Sequence, residues 1–153
     1  MRIVVAADNA GVDLKNAVRD LLRTDERVDD VLDLGVAGAD DDRAYPVLGL
    51  AAAETIARGE ADRGVLVCGT GIGVAISANK VPGVRATVAH DSYSAERSIK
   101  SNDCQVITFG ARVIGPELAK RIVTEWLGYR FDPGSASATK VAHITDYEAK
   151  TAS

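Results

Sequence analysis

Short apolar runs alternate along the chain with stretches whose apolar positions recur every three or four residues. The runs fall at 3–7, 28–34, 64–68, 84–89 and 106–109, and most end at a glycine or aspartate. Their valine and isoleucine content reads as buried strand. Between the first two, Val12, Leu14, Ala17, Val18, Leu21 and Leu22 share one face of a helix over 12–23. Further helices fit 45–57, where Pro46 suits the first turn, 74–79, 92–100, which Ser92 is placed to cap, and 116–127. Asp132-Pro133-Gly134-Ser135-Ala136-Ser137 breaks the chain before a last helix at 138–150. Strands and helices alternating at this spacing predict an α/β fold with a mostly parallel sheet covered on both faces. The last helix packs either on its own domain or on a partner subunit, and the partner is the expectation.

Composition adds limits. The 153 residues suit one domain, 1–153, with a sizeable core. A net charge of -4 gives no general reason to expect nucleic acid or membrane as a partner. No apolar run is long enough to span a bilayer, and Met1-Arg2-Ile3-Val4-Val5 opens a strand without the cleavage pattern of a signal peptide. Cys68 and Cys104 are the two cysteines, without CxxC or His spacing. They suggest a reduced, cytoplasmic setting and no zinc or other metal site.

The most informative segment is Gly64-Val65-Leu66-Val67-Cys68-Gly69-Thr70-Gly71-Ile72-Gly73. A strand ends at a thiol, and three glycines lead into a helical stretch. The carboxyl end of a parallel strand is where open α/β sheets bind ligands. Glycines there let backbone N–H groups converge on an oxyanion or phosphate. Cys68 is therefore a candidate base or nucleophile, or else a small buried core residue. Gly69, Gly71 and Gly73 form an anion hole or a tight turn, and the two are compatible. No Lys-Ser/Thr pair follows, so the loop is not a P-loop. Thr70 either bonds the thiol or a substrate hydroxyl, or caps the helix. Asp8, at the end of the first strand, accepts bonds from substrate or caps the next helix.

Several blocks then resemble one family in order. Asp8-Asn9-Ala10-Gly11, Tyr45-Pro46, Cys68 to Gly73, Ala78-Asn79-Lys80-Val81-Pro82-Gly83-Val84-Arg85-Ala86, His90-Asp91-Ser92-Tyr93-Ser94-Ala95, Asn102-Asp103 and Gly110-Ala111-Arg112-Val113-Ile114-Gly115 are similar to the ribose-5-phosphate isomerase B and galactose-6-phosphate isomerase family. The resemblance implies a Rossmann-like three-layer α/β/α sandwich with a five-stranded parallel sheet. It also implies a homodimer or tetramer with active sites built between subunits. The implied reaction is aldose–ketose isomerisation of a sugar phosphate through an enediolate, by a route that requires no cofactor. Cys68 is then the base, with Thr70 and Asn102 beside it in catalysis. Asp8, Asn9, Tyr45, Gly69, Gly71, Ile72, Gly73, His90 and Arg112 are the expected substrate-binding residues. Arg112 suits a phosphate through its planar fork. His90 is equally at home as a hydrogen-bonded structural histidine, while His143, Cys104 and Trp126 read as core or interface residues.

The departures bear on specificity. Asn9 stands where the family usually has histidine, and so does Ser101, at the position linked to ring opening. The tail Gly134-Ser135-Ala136-Ser137-Ala138-Thr139-Lys140 is nearly uncharged where the family carries arginines. These changes fit a ribose-5-phosphate type of enzyme that opens the ring by another group, or an enzyme for an acyclic tetrose phosphate. They also fit a non-catalytic or partner-requiring sugar-phosphate-binding subunit. A nucleotide-binding module fits less well, because the first turn lacks GxGxxG.

Overall fold

Five parallel strands form one sheet in the computed structural model, which describes residues 1–38 and 40–151. The elements are β1 (Arg2–Ala7), α1 (Val12–Leu22), β2 (Asp30–Asp33), α2 (Tyr45–Ala57), β3 (Arg63–Cys68), α3 (Ile72–Ala78), β4 (Ala86–Val88), α4 (Ser92–Lys100), β5 (Val106–Gly110), α5 (Pro116–Gly128) and α6 (Ala136–Thr151). Strand order is β2-β1-β3-β5-β4. The chain leaves β1 toward one edge through α1 and β2, then returns through α2 to place β3 on the other side of β1. The order thus reverses between β1 and β3, which opens a crevice at their carboxyl ends.

Side-chain alternation along the strands builds two cores. Ile3, Val5, Val65, Val67, Ile107 and Phe109 face α1, α4 and α5, where Val18, Leu22, Ile99, Ile122 and Trp126 meet them. Val4, Ala6, Leu66, Cys68 and Val106 face α2 and α3, against Leu48, Ala52, Val74 and Ala78. A period of two on strands buried on both faces accounts for the near-continuous apolar runs. It also puts Cys68 on the α2–α3 side.

Several boundaries differ from expectation, and α3 begins at Ile72 and not at 74. β2 starts at Asp30 and not at 28, because Val28 N–H turns back to the Asp25 carbonyl (2.9 Å). β4 spans only Ala86–Val88, because Val84 N–H closes a turn on the Val81 carbonyl (3.1 Å). The cap of α4 is Asp91 and not Ser92: the Asp91 carboxylate accepts the Ser94 N–H at 2.7 Å.

Two side-chain devices hold the sheet edges. At the β4 edge, Asn79 Nδ2 donates to the Ala86 carbonyl (2.7 Å) and its Oδ1 accepts the Ala86 N–H (2.8 Å). At the β2 side, Lys15 of α1 is 2 % exposed and its Nζ donates to both oxygens of Asp33 (2.8 and 2.9 Å). Arg19 Nη1 and the Gly35 N–H add two further donors to the same carboxylate. Burial pushes the Asp33 carboxyl up, but the hydrogen bonds from Lys15, Gly35 and Arg19 outweigh it and hold the group below the usual carboxylate range.

The last helix begins at Ala136, two residues before the expected start. It rests on its own chain through buried Val141, through Ile144 beside β4, and through Glu148, which accepts the Gly83 N–H at 2.8 Å. No described helix is long and apolar enough to cross a membrane.

Candidate active site

The crevice between β1 and β3 holds a cleft of about 470 Å³. Asp8, Asn9 and Ala10 line it from the turn after β1, and Tyr45 from the start of α2. Cys68, Gly69, Thr70, Ile72, Gly73 and Ile76 line it from the end of β3 and from α3, and Arg112 from the turn after β5. Nine of the expected residues therefore meet in one place: Asp8, Asn9, Tyr45, Cys68, Gly69, Thr70, Ile72, Gly73 and Arg112.

The loop after β3 is shaped around the thiol. Gly71 has φ +79°, a left-handed conformation that an L side chain rarely adopts, and a Cβ there would stand 2.9 Å from the Phe109 carbonyl carbon. This turn sends the Gly71 N–H back to Cys68 Sγ at 3.2 Å. The sulfur thus has a donor beside it for negative charge. Thr70 Oγ1 accepts the Ile72 N–H (3.3 Å) from just outside α3, whose N-cap is Gly71 and not Thr70, and the hydroxyl hydrogen stays available to a ligand. Behind the loop, fully buried Thr108 of β5 donates to the Gly71 carbonyl at 2.8 Å.

Asp8 shapes the turn ahead of α1, whose N-cap residue is Gly11 and not Asp8. Its Oδ1 accepts the Ala10 and Gly11 N–H groups (3.1 and 3.2 Å), which fixes the turn before α1. Its side chain lines the cleft. Tyr45 lays its ring on the backbone of Gly73. Arg112 packs its guanidinium against Gly69, and among the described residues that guanidinium, unlike the backbone N–H, has no carboxylate or carbonyl partner. An open guanidinium next to a thiol and a backbone cradle is suited to an anionic group on a small ligand.

Three expected residues do not line the cleft: Gly71 stays within the loop, and His90 and Asn102 lie elsewhere. His90, at the end of β4, gives its Nε2 as acceptor to the Gly110 N–H at 2.9 Å and does not line the cleft. Asn102 precedes β5 and so sits at the amino end of the sheet, opposite Cys68. Its Nδ2 donates to the Arg97 carbonyl (3.1 Å), and it lines a separate cleft of about 500 Å³ with Asn79, Arg97, Cys104 and Ile144. Ala10, Ile76 and Thr108 were not anticipated. Ile76 stands one helical turn after Ile72, a spacing that would have placed it on the same face.

A thiol, a backbone cradle and an open guanidinium at the switch point of a parallel sheet define an open α/β enzyme for a small anionic substrate. Residues 3–144 match the family described as Ribose/Galactose Isomerase, and the chain belongs to that family. It is an isomerase of the sugar-phosphate, aldose–ketose class. It is 57% identical over 148 residues to D-erythrulose-4-phosphate isomerase 2 of Mycolicibacterium smegmatis, covering 97% of each chain. It is 40% identical over 147 residues to ribose-5-phosphate isomerase B of Escherichia coli, covering 96% of each. The Clostridium thermocellum ribose-5-phosphate isomerase B structure superposes with a TM-score of 0.92 at 42% identity, covering 99% of each chain.

Proposed function

We propose that the chain isomerises an acyclic tetrose 4-phosphate, with Cys68 as the base. The carrying observation is Ser101, directly before Asn102, where the family's ring-opening histidine would stand. A tetrose 4-phosphate has its terminal hydroxyl blocked by phosphate and cannot close a furanose, so its isomerase needs no group to open one. The 57% identity with an enzyme named for D-erythrulose 4-phosphate supports the same reading.

In this mechanism the Cys68 thiolate takes the proton from the carbon beside the carbonyl, and the released electron pair forms the enediolate double bond. N–H groups of the Gly69–Gly73 loop meet the charge growing on oxygen. The thiol then returns its proton to the neighbouring carbon, while the hydroxyl proton passes to the other oxygen with Thr70 in reach. Asp8 holds substrate hydroxyls, Arg112 and Asn9 hold the phosphate, and Tyr45 covers the chain of carbons. A reduced thiol suits the cytoplasmic setting expected from the unpaired Cys68 and Cys104. A substrate panel tests this reading. The expected kcat/KM for erythrulose 4-phosphate exceeds that for ribose 5-phosphate by at least about tenfold, the scale of one well-placed discriminating contact. The reverse preference sinks the tetrose reading and leaves the isomerase class intact.

We infer further that the site is completed by Asn102 of a second copy. The helix α3 starts in the Cys68 cleft at Ile72 and runs to Ala78, next to Asn79 in the Asn102 cleft. Its outer face carries exposed Ile72 and Ile76, and exposed Val47 of α2 lies on the same side of the sheet. Two such helices paired antiparallel about a two-fold axis bring the Cys68 cleft of each copy to the Asn102 cleft of the other. The expectation for α6 belongs here too, since Ile144 and Tyr147 remain exposed beside the Asn102 cleft. Mixing inactive Cys68→Ala with inactive Asn102→Ala, then unfolding and refolding them together, is expected to restore up to about a quarter of wild-type activity, since symmetric pairing leaves one intact site in each mixed dimer. No recovery in a verified mixed dimer places both residues in one chain's site.

A further inference from the structure

His90 was expected at the substrate, yet it stands behind the reaction loop. The end of β5 and the loop after β3 are interlocked through backbone. Ala111 N–H donates to the Cys68 carbonyl (2.9 Å), and Arg112 N–H donates to the Gly69 carbonyl (3.0 Å). Gly110 lies so close that a Cβ on it would stand 2.7 Å from the Thr70 backbone. Val113 and Ile114 N–H groups both return to the Gly110 carbonyl, so Gly110 closes the turn that carries Arg112. The Gly110 N–H points away from the loop, to His90 Nε2 at 2.9 Å. The imidazole is stacked on Phe109, with ring centroids 6.3 Å apart and planes at 24°.

The geometry points to His90 as a positioning residue: its neutral imidazole, protonated on Nδ1, holds Gly110 and thereby sets Cys68 and Arg112 in register across the cleft. Only the neutral ring can do this, because an imidazolium has no acceptor to offer a backbone N–H. Phe109 and Gly110 of β5 stand against the ring, and Asp91 at the cap of α4 follows it directly in the chain. Asp91 is the charged group acting on it, and its carboxylate already accepts the Ser94 N–H. Burial disfavours the imidazolium more than Asp91 favours it, so the ring titrates below its ordinary value of 6.5. The bond is present above that pH and is lost as pH falls through the folded-state value. The activity arm of the test rests on the isomerase reading, and the magnetic-resonance arm does not.

The test compares wild type, His90→Gln and His90→Leu. Gln carries an acceptor at the place of Nε2, and Leu carries none. In ¹⁵N spectra of wild type near pH 7.5, the His90 ring is expected with Nδ1 protonated and Nε2 bare. Gly110 amide exchange is expected to be slow in wild type and His90→Gln and fast in His90→Leu. With an isomerised sugar phosphate, His90→Leu is expected to lose about tenfold or more in kcat, with KM changed by less than about threefold. Misplacement of a reacting group by a fraction of an ångström acts on this scale. His90→Gln recovers most of the loss. The ratio of wild-type to His90→Gln kcat falls below pH 6.5 as the His90 ring is seen in the same spectra to gain its proton, whereas ionisations common to both enzymes cancel in that ratio. A proton on Nε2, a pH-independent ratio, or a Gln variant as impaired as Leu overturns the proposal. If Leu does not fold, the wild-type tautomer and the pH dependence of Gly110 exchange still decide it. If no sugar phosphate turns over, the isomerase reading fails while the tautomer result stands.

Discussion

Cys68→Ala is expected to lower kcat by a factor of about 10² to 10⁴, the usual contribution of a positioned proton-transfer group, with little change in the far-ultraviolet spectrum or the unfolding midpoint. The fold is expected to survive because the change removes a single sulfur atom from the α2–α3 core and leaves one N–H, that of Gly71, without its acceptor. Cys68→Ser keeps an acceptor for that N–H but supplies a far weaker base, so its rate is expected near that of alanine. Cys104 gives the internal control. Burial pushes its thiol up to about 11, so an ionisation seen in the rate near neutral pH does not come from it. A Cys68→Ala enzyme with wild-type kcat would move the base to Asp8, whose side chain lines the same cleft.

The second large effect is on stability. Asp33→Ala is expected to cost about 3–5 kcal/mol, the range for breaking a buried pair by removing one partner. It leaves the Lys15 ammonium with its side chain 3% exposed and without its carboxylate. Lys15→Met is expected to cost less, because Asp33 keeps Arg19 and the Gly35 N–H and is itself 21% exposed. Urea midpoints at neutral pH rank the variants, and the reverse order overturns the account. The wild-type contribution also has a sign in pH. Asp33 is held below the usual carboxylate range, so its stabilisation is full above about pH 4 and is lost on further acidification. Since Lys15 stands one turn beyond Gly11, Asp33→Ala is also expected to loosen the Asp8 turn.

What could be read from the chain follows from which information is local. The five strands and the helices after them were legible, because burial on both faces leaves a continuous apolar run in sequence. The ends of β2 and β4 were not, because Val28 and Val84 look like strand residues and are drawn into turns by bonds to Asp25 and Val81. The Cys68 cleft was legible for nine residues, since β1 and β3 end on the same side of any parallel sheet. Asn102 escaped the same logic: it precedes its strand, and a single chain carries it to the far end. The role of His90 depends on β5 inserting between β3 and β4, and the neighbour of an edge strand is not written in its own residues. Asp91 took the cap from Ser92 because a β-region residue one position earlier already had a carboxylate in reach of the Ser94 N–H.

The amide of Asn79 has a consequence for how copies of this chain can grow together. It occupies both outward hydrogen-bonding groups of Ala86, much as a residue of a sixth strand would. An uncovered terminal strand is a template for edge-to-edge addition and, at high concentration, for fibrils. Asn79 thus blocks strand addition at Ala86, the first residue of the edge strand.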